Sequence, residues 1–378
     1  MRILVLGAGI VGRAIAIDLC ADEQHQVTVC DIRGESLTAL KDTYPVLTHQ
    51  ANLSTPEAVH NLAKQHEFVV SAVPGYIGFQ TLQAIIEADC SVVDIAFFPE
   101  DPFELAELAE EHGVTAVVDC GVAPGMSNLL VGHSCKQLDT ISDVKIYAAG
   151  LPIEKTPPFE YKAVFSPMDV IEEYVRPARI VKDGEKISMP ALSESEMLDF
   201  PEIGTLEAFH TDGLRTLLTT IGAPNMVEKT MRYPGHRAKV ELLRDIGFFS
   251  DEIIAVENTK VAPRSLTSKL LMDCWKLEPG DEDVTVLRVV VNGTKNGKNI
   301  QFIHNLIDYY DQETGMTSMA RTTGFAATAF ARAVLNGQIS QKGVVTPEAV
   351  GTIDVAYKSI MSDLEVRGIN YNTVKKDD

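Results

Sequence analysis

Residues 1–12 read MRILVLGAGIVG, an apolar run that breaks into glycine at positions 7, 9 and 12. The apolar run predicts a β-strand, and the glycines predict a tight turn that opens a helix. In this setting a G-x-G-x-x-G motif indicates dinucleotide binding. Gly7 would make the turn, Gly9 would let the backbone approach a pyrophosphate, and Gly12 would let the helix pack closely on the strand.

A second predicted strand, at 26–31, ends in an acid. Asp31 follows Gly12 by 19 residues, close to the spacing at which a carboxylate accepts hydrogen bonds from the adenosine ribose. A carboxylate there repels a 2′-phosphate and favours NAD over NADP, although a guanidinium at Arg33 could hold that phosphate. We therefore expect NAD, bound by the glycine turn, the helix N-terminus and the ends of later strands: Gly7, Gly9, Ile10, Val11, Gly12, Asp31, Arg33, Ala72, Val73, Pro74 and Gly121.

Composition limits the possible partners. The 378 residues carry 33 Lys and Arg against 53 Asp and Glu, a net charge of −20. Nucleic acid is therefore not an expected partner, because phosphate backbones need clustered cations. No stretch approaches the length of a membrane-spanning helix, and no charged leader precedes the first strand, so we expect a cytoplasmic protein with no membrane contact. The six cysteines have no metal-binding spacing, and we expect reduced thiols and no metal.

Strand and helix patterns alternate through the first 120 residues. Apolar runs at 68–73, 91–95 and 114–119 are each followed or separated by helical patterns, which predicts a doubly wound parallel sheet of the Rossmann α/β class. Ligands bind beyond the carboxyl ends of such strands. We predict an NAD-binding Rossmann domain at 1–120, with 74–75, 96–98 and 121–125 at its ligand-binding edge.

The pattern changes after residue 125. Runs at 284–292 and 299–310 flank Asn296-Gly297, a strong signal for a β-hairpin turn. We predict an inserted α+β domain at 121–318 that binds substrate, contributes catalytic residues and forms a homodimer or higher homo-oligomer. Its largely antiparallel sheet would have an apolar face that a helix layer or a second subunit must cover.

The last part of the chain begins with an alanine-rich helix. Residues 319–338 carry small side chains that would let this helix lie close to another element. We predict that 319–378 form C-terminal helices that return to the Rossmann domain. The polar residues 371–378 look disordered.

Three polar clusters in the middle domain are dense in chemically useful side chains: 150–152 with 161–167, 206–213 and 228–236. With other motifs they resemble the saccharopine dehydrogenase-like enzymes and, within them, the lysine 6-dehydrogenase branch. The resemblance covers nearly the whole chain and rests on GAGIVG at 7–12, DCGVAPGMSN at 119–128, GLP at 150–152, YKAVFSPMDVIEEY at 161–174, PAL at 190–192, LEAFHTDGL at 206–214, EKTMRYPGH at 228–236 and ARTTG at 320–324.

The resemblance implies an enzyme that uses a nicotinamide cofactor to interconvert amine and imine at the end of an amino-acid side chain. For the lysine branch it implies oxidation of the ε-amine by NAD to allysine. Allysine cyclises to piperideine-6-carboxylate, and ammonia is released.

Candidate catalytic residues follow from this chemistry, which needs a neutral amine and a group that accepts or relays protons. Asp119 follows a predicted strand beside a glycine turn and could contact the amine, although a turn-capping role is equally expected. Asp94 has the same kind of location. His236 and His210 could act as acid or base because imidazole titrates near neutral pH, with a structural histidine as the alternative for each.

Candidate substrate-binding residues are cationic or polar. Arg232 and Lys162 are natural partners for an α-carboxylate, Arg offering a bidentate fork, and ordinary salt bridges are the alternative. Tyr161, Thr211, Asp212 and Tyr233 could line the pocket, although Asp212-Gly213 and Tyr233-Pro-Gly235 are also turn-like. At 321–323 the threonines could touch substrate, but capping of the alanine-rich helix is favoured.

Two departures from relatives that make or cleave saccharopine favour a lysine-type substrate. Ala148 and Ala149 stand where those relatives often have a cysteine and a second glycine, and GVAPG at 121–125 lacks an acid before Pro-Gly. Both changes remove polar groups that a larger dicarboxylic substrate would use. A saccharopine or carboxynorspermidine-type reductase is the alternative enzyme, and a non-catalytic NAD-binding sensor is the alternative of another class.

Overall fold

The computed structural model describes residues 1–164, 167–278 and 280–377. The chain forms two compact units, Met1–Gln137 with Ala320–Tyr371, and Leu138–Met319 with Asn372–Asp378. The second unit is thus inserted into the first. The first unit extends beyond residue 120, where we predicted its boundary, because the helix after that residue packs within it.

The N-terminal part of the first unit alternates strands and helices. A 3-10 turn at Pro102–Leu105 precedes the fifth helix. The elements are β1 (Arg2–Leu6), α1 (Ile10–Cys20), β2 (Gln26–Asp31), α2 (Gly34–Lys41), β3 (Leu47–Gln50), α3 (Pro56–Ala63), β4 (Phe68–Ser71), α4 (Gly75–Glu87), β5 (Ser91–Asp94), α5 (Ala106–Glu111), β6 (Thr115–Val117) and α6 (Met126–Cys135).

The inserted unit is richer in strands. Its elements are β7 (Thr140–Pro152), α7 (Pro167–Val175), β8 (Ala178–Lys182), β9 (Glu185–Met189), β10 (Glu196–Phe200), β11 (Gly204–His210), α8 (Leu217–Thr220), β12 (Met226–Arg232), α9 (His236–Asp245), β13 (Ile254–Val256), β14 (Thr259–Val261), α10 (Pro263–Trp275), β15 (Asp283–Lys295) and β16 (Lys298–Tyr309).

The C-terminal part adds three helices and two strands: α11 (Ser318–Leu335), β17 (Gly343–Val345), α12 (Pro347–Gly351), α13 (Asp354–Val366) and β18 (Asn372–Asp377). Strand β18 pairs with β16 of the inserted unit. Our expectation of a disordered tail at 371–378 is therefore wrong for 372–377, because the backbone of this polar segment continues an existing sheet edge.

The first unit confirms the predicted Rossmann fold. Its seven strands are parallel in the order β17-β6-β5-β4-β1-β2-β3. The order reverses between β1 and β4, and in open α/β sheets ligands bind at such a switch point, outside the carboxyl ends of the strands. Apart from the polar and largely exposed edge strand β3, the strands are mainly buried apolar runs, as expected for a sheet with helices on both faces.

Helix α11 packs against α1 within the first unit, as its small residues predict. A Cβ on Gly324 would lie 3.1 Å from Cβ of Ala14. Asp18 of α1, which is buried, accepts hydrogen bonds from Thr328 at 2.5 Å and Arg332 at 2.8 Å. Arg367 also donates to Asp18, at 2.6 Å. This buried ionic cluster ties the C-terminal helices to the glycine-turn helix.

The inserted unit contains a nine-stranded mixed sheet. Its main path runs β10-β11-β12-β7-β15-β16-β18, with β8 pairing to β12 and β9. Strands β15 and β16 form the hairpin predicted from Asn296-Gly297. Both turn residues have positive φ, 51° and 75°, which is the conformation that a two-residue type I′ turn requires.

Register assigns side chains to the two faces of this sheet, because alternate residues point to opposite sides. On β12, Arg232 shares a face with Thr230, and Thr230 lies opposite Phe209 of β11. Phe209 packs into a core with residues of α7, α9 and α10. We call this side the helical face. The other side, the outer face, carries a separate core that contains Met231 and Tyr147.

Among the residues that the structure describes, no helix is long and apolar enough to cross a membrane. No group of three or more His, Cys, Asp or Glu side chains in the same described residues could hold a metal ion.

Candidate active site

The carboxyl ends of the strands of the first unit lie along one edge of the sheet, where Gly7, Ala72, Ile95 and Cys120 follow their strands. We call this edge the ledge. Backbone hydrogen bonds continue the sheet ladder one step past the strands themselves. They join Gly7 N to Cys30 O at 2.8 Å, Ala72 N to Leu6 O at 2.8 Å, Ile95 N to Ser71 O at 3.0 Å and Cys120 N to Asp94 O at 2.9 Å. The glycine turn and the strand ends predicted to contact a dinucleotide therefore lie side by side.

The three glycines of the turn are required for different reasons. Gly7 has φ 101°, and a Cβ there would lie 2.5 Å from the carbonyl oxygen of Ala72. A Cβ on Gly12 would lie 2.1 Å from the carbonyl oxygen of Gly7. A Cβ on Gly9 would meet only Nη2 of Arg33, at 3.8 Å. Gly7 and Gly12 are thus needed for packing, whereas the space beside Gly9 is open.

Open space beside Gly9 fits a bound pyrophosphate. Gly9 precedes α1, whose N-terminus has no side-chain cap, and Ile10 and Val11 form the first turn of that helix. Uncapped N–H groups at a helix N-terminus attract phosphate. These residues therefore fit the dinucleotide that the motif predicts.

Asp31 lies at the end of β2 and holds the turn together. Its Oδ2 accepts a hydrogen bond from Ala8 N at 2.7 Å, and its Oδ1 accepts from Arg33 N at 2.8 Å and Arg33 Nε at 3.2 Å. Burial acts to raise the pKa of Asp31, but the hydrogen bonds from Arg33 and Ala8 outweigh burial and lower it. The carboxylate is therefore ionised, and the exposed Arg33 guanidinium lies beside it.

Two further acids lie on the ledge. Asp94 ends β5 and is fully buried, and its Oδ2 accepts from Ala96 N at 3.0 Å. Asp119 follows β6, is 2% exposed and has φ 54°. Gly121 follows it in a turn that closes on Gly125, where a Cβ would lie 2.0 Å from the Gly121 carbonyl oxygen. Both acids are thus held at the edge where a dinucleotide fold carries out its chemistry.

In the inserted unit, Arg232 is the centre of a buried cluster on the helical face. Its Nη2 donates to Glu173 Oε2 at 2.8 Å, its Nε to Tyr174 Oη at 3.3 Å and its Nη1 to the carbonyl oxygen of Met231 at 3.0 Å. The guanidinium carbon also lies 4.6 Å from the ring centroid of Tyr161. Three of its five N–H donors are used by these contacts.

Tyr174 and His236 extend this cluster. The Tyr174 hydroxyl lies 2.9 Å from His236 Nε2, and His236 Nδ1 lies 2.9 Å from the carbonyl oxygen of Phe159. Only Nδ1–H can donate to that carbonyl, so Nε2 accepts from the tyrosine hydroxyl, which itself accepts from Arg232. Burial and the nearby Arg232 charge lower the pKa of His236 to about 3. His236 is therefore neutral, and the acid–base role predicted for it is not supported.

Two buried donors in the same cluster have no hydrogen-bond partner among the described residues. They are the hydroxyl of Tyr161 and Nε1 of Trp275. The two rings pack edge to face, with centroids 5.3 Å apart, and both side chains are almost completely buried. Because an unpaired buried donor costs about 1–3 kcal/mol, each such group calls for an explanation.

Several other candidate site residues make contacts away from the Arg232 cluster. His210 and Tyr233 lie on the outer face, away from Arg232. The His210 ring contacts Ser193 Oγ at 3.3 Å, and burial and Lys229 lower its pKa. The Tyr233 hydroxyl donates to the carbonyl oxygen of Pro152 at 3.0 Å. These contacts argue against the catalytic role predicted for His210 and the substrate contact predicted for Tyr233.

Lys162 also has a structural contact. Its Nζ donates to the carbonyl oxygen of Lys276 at 3.0 Å and lies 3.8 Å from Asp281. Lys162 therefore fixes the chain after α10, which argues against the carboxylate contact that we predicted for it. The neighbouring motif residues Phe165 and Ser166 lie outside the described residues.

Thr211 and Asp212 take part in a second polar cluster. Asp212 forms a two-pronged ion pair with Arg179, at 2.8 and 2.7 Å. Thr211 Oγ1 donates to Glu228 Oε2 at 2.6 Å. Burial raises the pKa of Glu228 to about 8. Both side chains are engaged with residues of neighbouring strands, Arg179 of β8 and Glu228 of β12, which argues against the substrate contacts predicted for them.

Sequence reasoning missed Glu173, Tyr174, Glu228 and Trp275. The first three lie in motifs that the sequence analysis quotes, but their roles depend on helices whose packing is not readable from spacing. Trp275 is the single tryptophan of the chain, and that rarity was the one available signal.

The parallel sheet and its glycine turn define a Rossmann-type dinucleotide-binding fold, interrupted by an inserted α+β unit. Comparison with known families agrees. Residues 3–117 match the saccharopine dehydrogenase NADP binding domain, and residues 121–369 match the saccharopine dehydrogenase C-terminal domain. The chain belongs to the saccharopine dehydrogenase family, a family of NAD(P)-binding enzymes that act on amino acids.

Individual relatives are distant. Carboxynorspermidine synthase of Vibrio cholerae is 26% identical, with 92% of each chain covered. The mitochondrial alpha-aminoadipic semialdehyde synthase of Bos taurus is 20% identical over 98% of this chain, which spans 47% of that protein's length. The apo saccharopine dehydrogenase (L-Glu forming) of Saccharomyces cerevisiae has the same fold, with a TM-score of 0.80, 19% identity and 99% of each chain covered.

Proposed function

We propose that the protein is an NAD-dependent dehydrogenase that oxidatively deaminates a side-chain amine of an amino acid, with L-lysine as the preferred substrate. The products would be allysine, which cyclises to piperideine-6-carboxylate, and ammonia. The observation that carries the proposal is the buried Arg232 cluster, where a guanidinium and two buried donors lie around one set of aromatic rings.

This cluster has the chemistry of an amino-acid carboxylate anchor. A carboxylate accepts from Arg in a bidentate fashion, and the unused N–H donors of Arg232 can supply that contact. The Tyr161 hydroxyl and Trp275 Nε1 would also gain an acceptor. Glu173 keeps the guanidinium paired before ligand binds, and the rings of Tyr161, Tyr174 and Trp275 offer apolar surface to a methylene chain. One anchor of this kind suits a monocarboxylic substrate such as lysine.

The acids at the carboxyl ends of β5 and β6 are the candidates for the proton transfer that such a reaction needs. A nicotinamide, when bound, supplies the hydride acceptor. The substrate amine must lose a proton before it can be oxidised, and a nearby carboxylate can accept that proton. Asp119 is the proposed acceptor because it is buried at the carboxyl end of the sheet, and Asp94 is the neighbouring acid.

Asp31 supports NAD as the cofactor. Its ionised carboxylate stands at the end of β2, where a negative charge opposes a 2′-phosphate. Arg33 would favour NADP instead, since its exposed guanidinium lies beside that carboxylate and could hold a 2′-phosphate. The matched family model is an NADP binding domain, so the cofactor must be tested directly.

A second candidate function is reduction of an imine formed from an aldehyde and an amine. The carboxynorspermidine synthases favour it, since the Vibrio cholerae protein matches over 92% of both chains. Such an enzyme needs two organic substrates and a reduced cofactor. Incubation with NAD and lysine at alkaline pH, with NADH followed by absorbance, separates the two functions, because a condensing enzyme stays silent.

A further inference from the structure

Glu173 and Arg232 form an ion pair whose two ends differ in exposure. Glu173 lies on α7 and Arg232 ends β12, with 2.8 Å between Oε2 and Nη2. The Arg232 side chain is 2% exposed, whereas the Glu173 side chain is 20% exposed. The carboxylate is therefore the more open end of the pair. It can accept more than one hydrogen bond, because a carboxylate offers about four acceptor positions.

The charges of the Arg232 cluster balance without a ligand. Arg232 contributes one positive charge and Glu173 one negative charge. Burial lowers the pKa of His236 to about 3 and raises the pKa of Tyr174 to about 12, so both side chains are neutral at neutral pH. A ligand that brought only a carboxylate would add an uncompensated negative charge to this buried cluster, which is costly. A ligand with an ammonium beside its carboxylate would keep the cluster neutral.

Two neighbouring acids are engaged in other contacts. Glu228 shares the helical face of β12, but its Oε2 accepts from Thr211 at 2.6 Å. Burial raises the pKa of Glu228 to about 8, so it carries a proton and no charge at neutral pH. Glu172 precedes Glu173 on α7 and forms an ion pair with Arg264. Glu173 is therefore the charged acid that lies beside the guanidinium.

We infer that Glu173 binds the α-ammonium of the substrate while Arg232 binds its α-carboxylate. The inference rests on the proposed function, which places an amino acid at Arg232. One carbon separates the ammonium and the carboxylate of an α-amino acid, and the opposite charges of Arg232 and Glu173 are likewise adjacent. Glu173 would then determine specificity, because an amine with a carboxylate but no α-ammonium would leave the cluster with an unpaired charge.

Two unreactive probes test the inference without turnover. L-Norleucine has the α-carboxylate and α-ammonium of lysine but no ε-amine, and hexanoate has the carboxylate alone. Calorimetry on the wild-type protein with NAD present should show L-norleucine binding about 10- to 100-fold more tightly than hexanoate, the value of one hydrogen bond to a charged group. Equal affinity for the two probes, or binding of neither, would overturn the inference.

Glu173→Gln should reverse this preference. L-Norleucine should lose about 10- to 100-fold in affinity, whereas hexanoate should bind at least as tightly as before, because its carboxylate then neutralises Arg232. A purely structural role for Glu173 would weaken both probes together and would contradict the inference. Glu172→Gln removes the adjacent carboxylate on α7, is the matched control and should alter neither affinity.

Turnover separates this inference from the proposed function. If L-lysine is not oxidised but L-norleucine binding depends on Glu173, the proposed function fails and the α-ammonium contact stands. The compound 6-aminohexanoate lacks only the α-ammonium of lysine. If it is oxidised with the same KM as L-lysine, the proposed dehydrogenase activity stands and the role inferred for Glu173 is wrong.

Discussion

Arg232 donates to Glu173 at 2.8 Å, with the two side chains 2% and 20% exposed. A buried guanidinium without a partner would cost several kcal/mol, so this pair explains how the positive charge persists inside the inserted unit. The same pair leaves donors of Arg232 for a ligand carboxylate. Substrate affinity should therefore depend on the shape of the guanidinium as well as on its charge.

Arg232→Lys tests that dependence. Lysine keeps the charge opposite Glu173 but loses the planar fork. We expect the KM for the amino acid to rise by about 10- to 100-fold, the value of one hydrogen bond to a charged group, with kcat nearly unchanged. Arg288→Lys, on the outer face above Phe200, is the control and should alter neither. Equal KM values for Arg232→Lys and wild type would show that Arg232 does not bind the substrate carboxylate.

Asp119→Asn tests the proposed proton acceptor. Asparagine tolerates the positive φ of 54° at this position, so the fold should be retained while the charge is lost. We expect kcat to fall by about 10²- to 10⁴-fold, as for loss of a general base, with an unchanged melting temperature. Asp89→Asn, at φ 57° on the surface, is the matched control. A variant with wild-type kcat would assign Asp119 a turn role only.

Gly9→Ala and Gly12→Ala should affect different properties, the first dinucleotide affinity and the second stability. The backbone at Gly9, φ −71° and ψ −171°, suits alanine, and the added Cβ enters open space. We expect an unchanged melting temperature but about tenfold or greater loss of dinucleotide affinity, measured by calorimetry. Gly12→Ala should lower stability by about 1–3 kcal/mol because its Cβ meets the Gly7 carbonyl. Wild-type affinity in Gly9→Ala would show that no dinucleotide phosphate lies there.

Glu228→Gln tests a buried carboxyl whose pKa is raised to about 8 from 4.5. Between these values the folded state holds a proton that the unfolded state releases, so wild-type stability should fall as pH rises from about 4.5 to about 8. Glutamine stays neutral and can still accept from Thr211. Thermal melts should therefore show less pH dependence in Glu228→Gln and higher stability than wild type above pH 8.

The control for that series is Glu365→Gln, which alters an exposed carboxyl on α13. Its pH profile should follow that of wild type. If Glu228→Gln also follows wild type, the Glu228 proton is not retained in the folded state.

Local chemistry made much of the fold predictable. The glycine turn and the Asn296-Gly297 hairpin depend on backbone conformations that few residues adopt, so their sequence signals are strong. Side-chain parity would also have placed His210 and Arg232 on opposite faces once β11 and β12 were known. The sequence analysis treated the motifs as clusters and missed that separation.

Other features depend on contacts between distant residues. Strand β18 is a polar tail with no apolar pattern, and it is ordered only because the β16 edge accepts it. The contacts of Trp275 with Tyr161 and His236 depend on how α9 and α10 pack, which no local spacing encodes. Burial then lowers the pKa of His236 to about 3, and a sequence motif cannot supply that environment.

The most direct measurement is a substrate panel read by reduction of the cofactor at alkaline pH. L-Lysine, L-ornithine, saccharopine and simple diamines would each be tested with NAD and with NADP. We expect absorbance of reduced cofactor with L-lysine and NAD, and weaker or no signal with diamines, which lack the carboxylate that Arg232 is proposed to bind. No turnover of lysine, with turnover of saccharopine or of an aldehyde–amine pair instead, would contradict the proposed function.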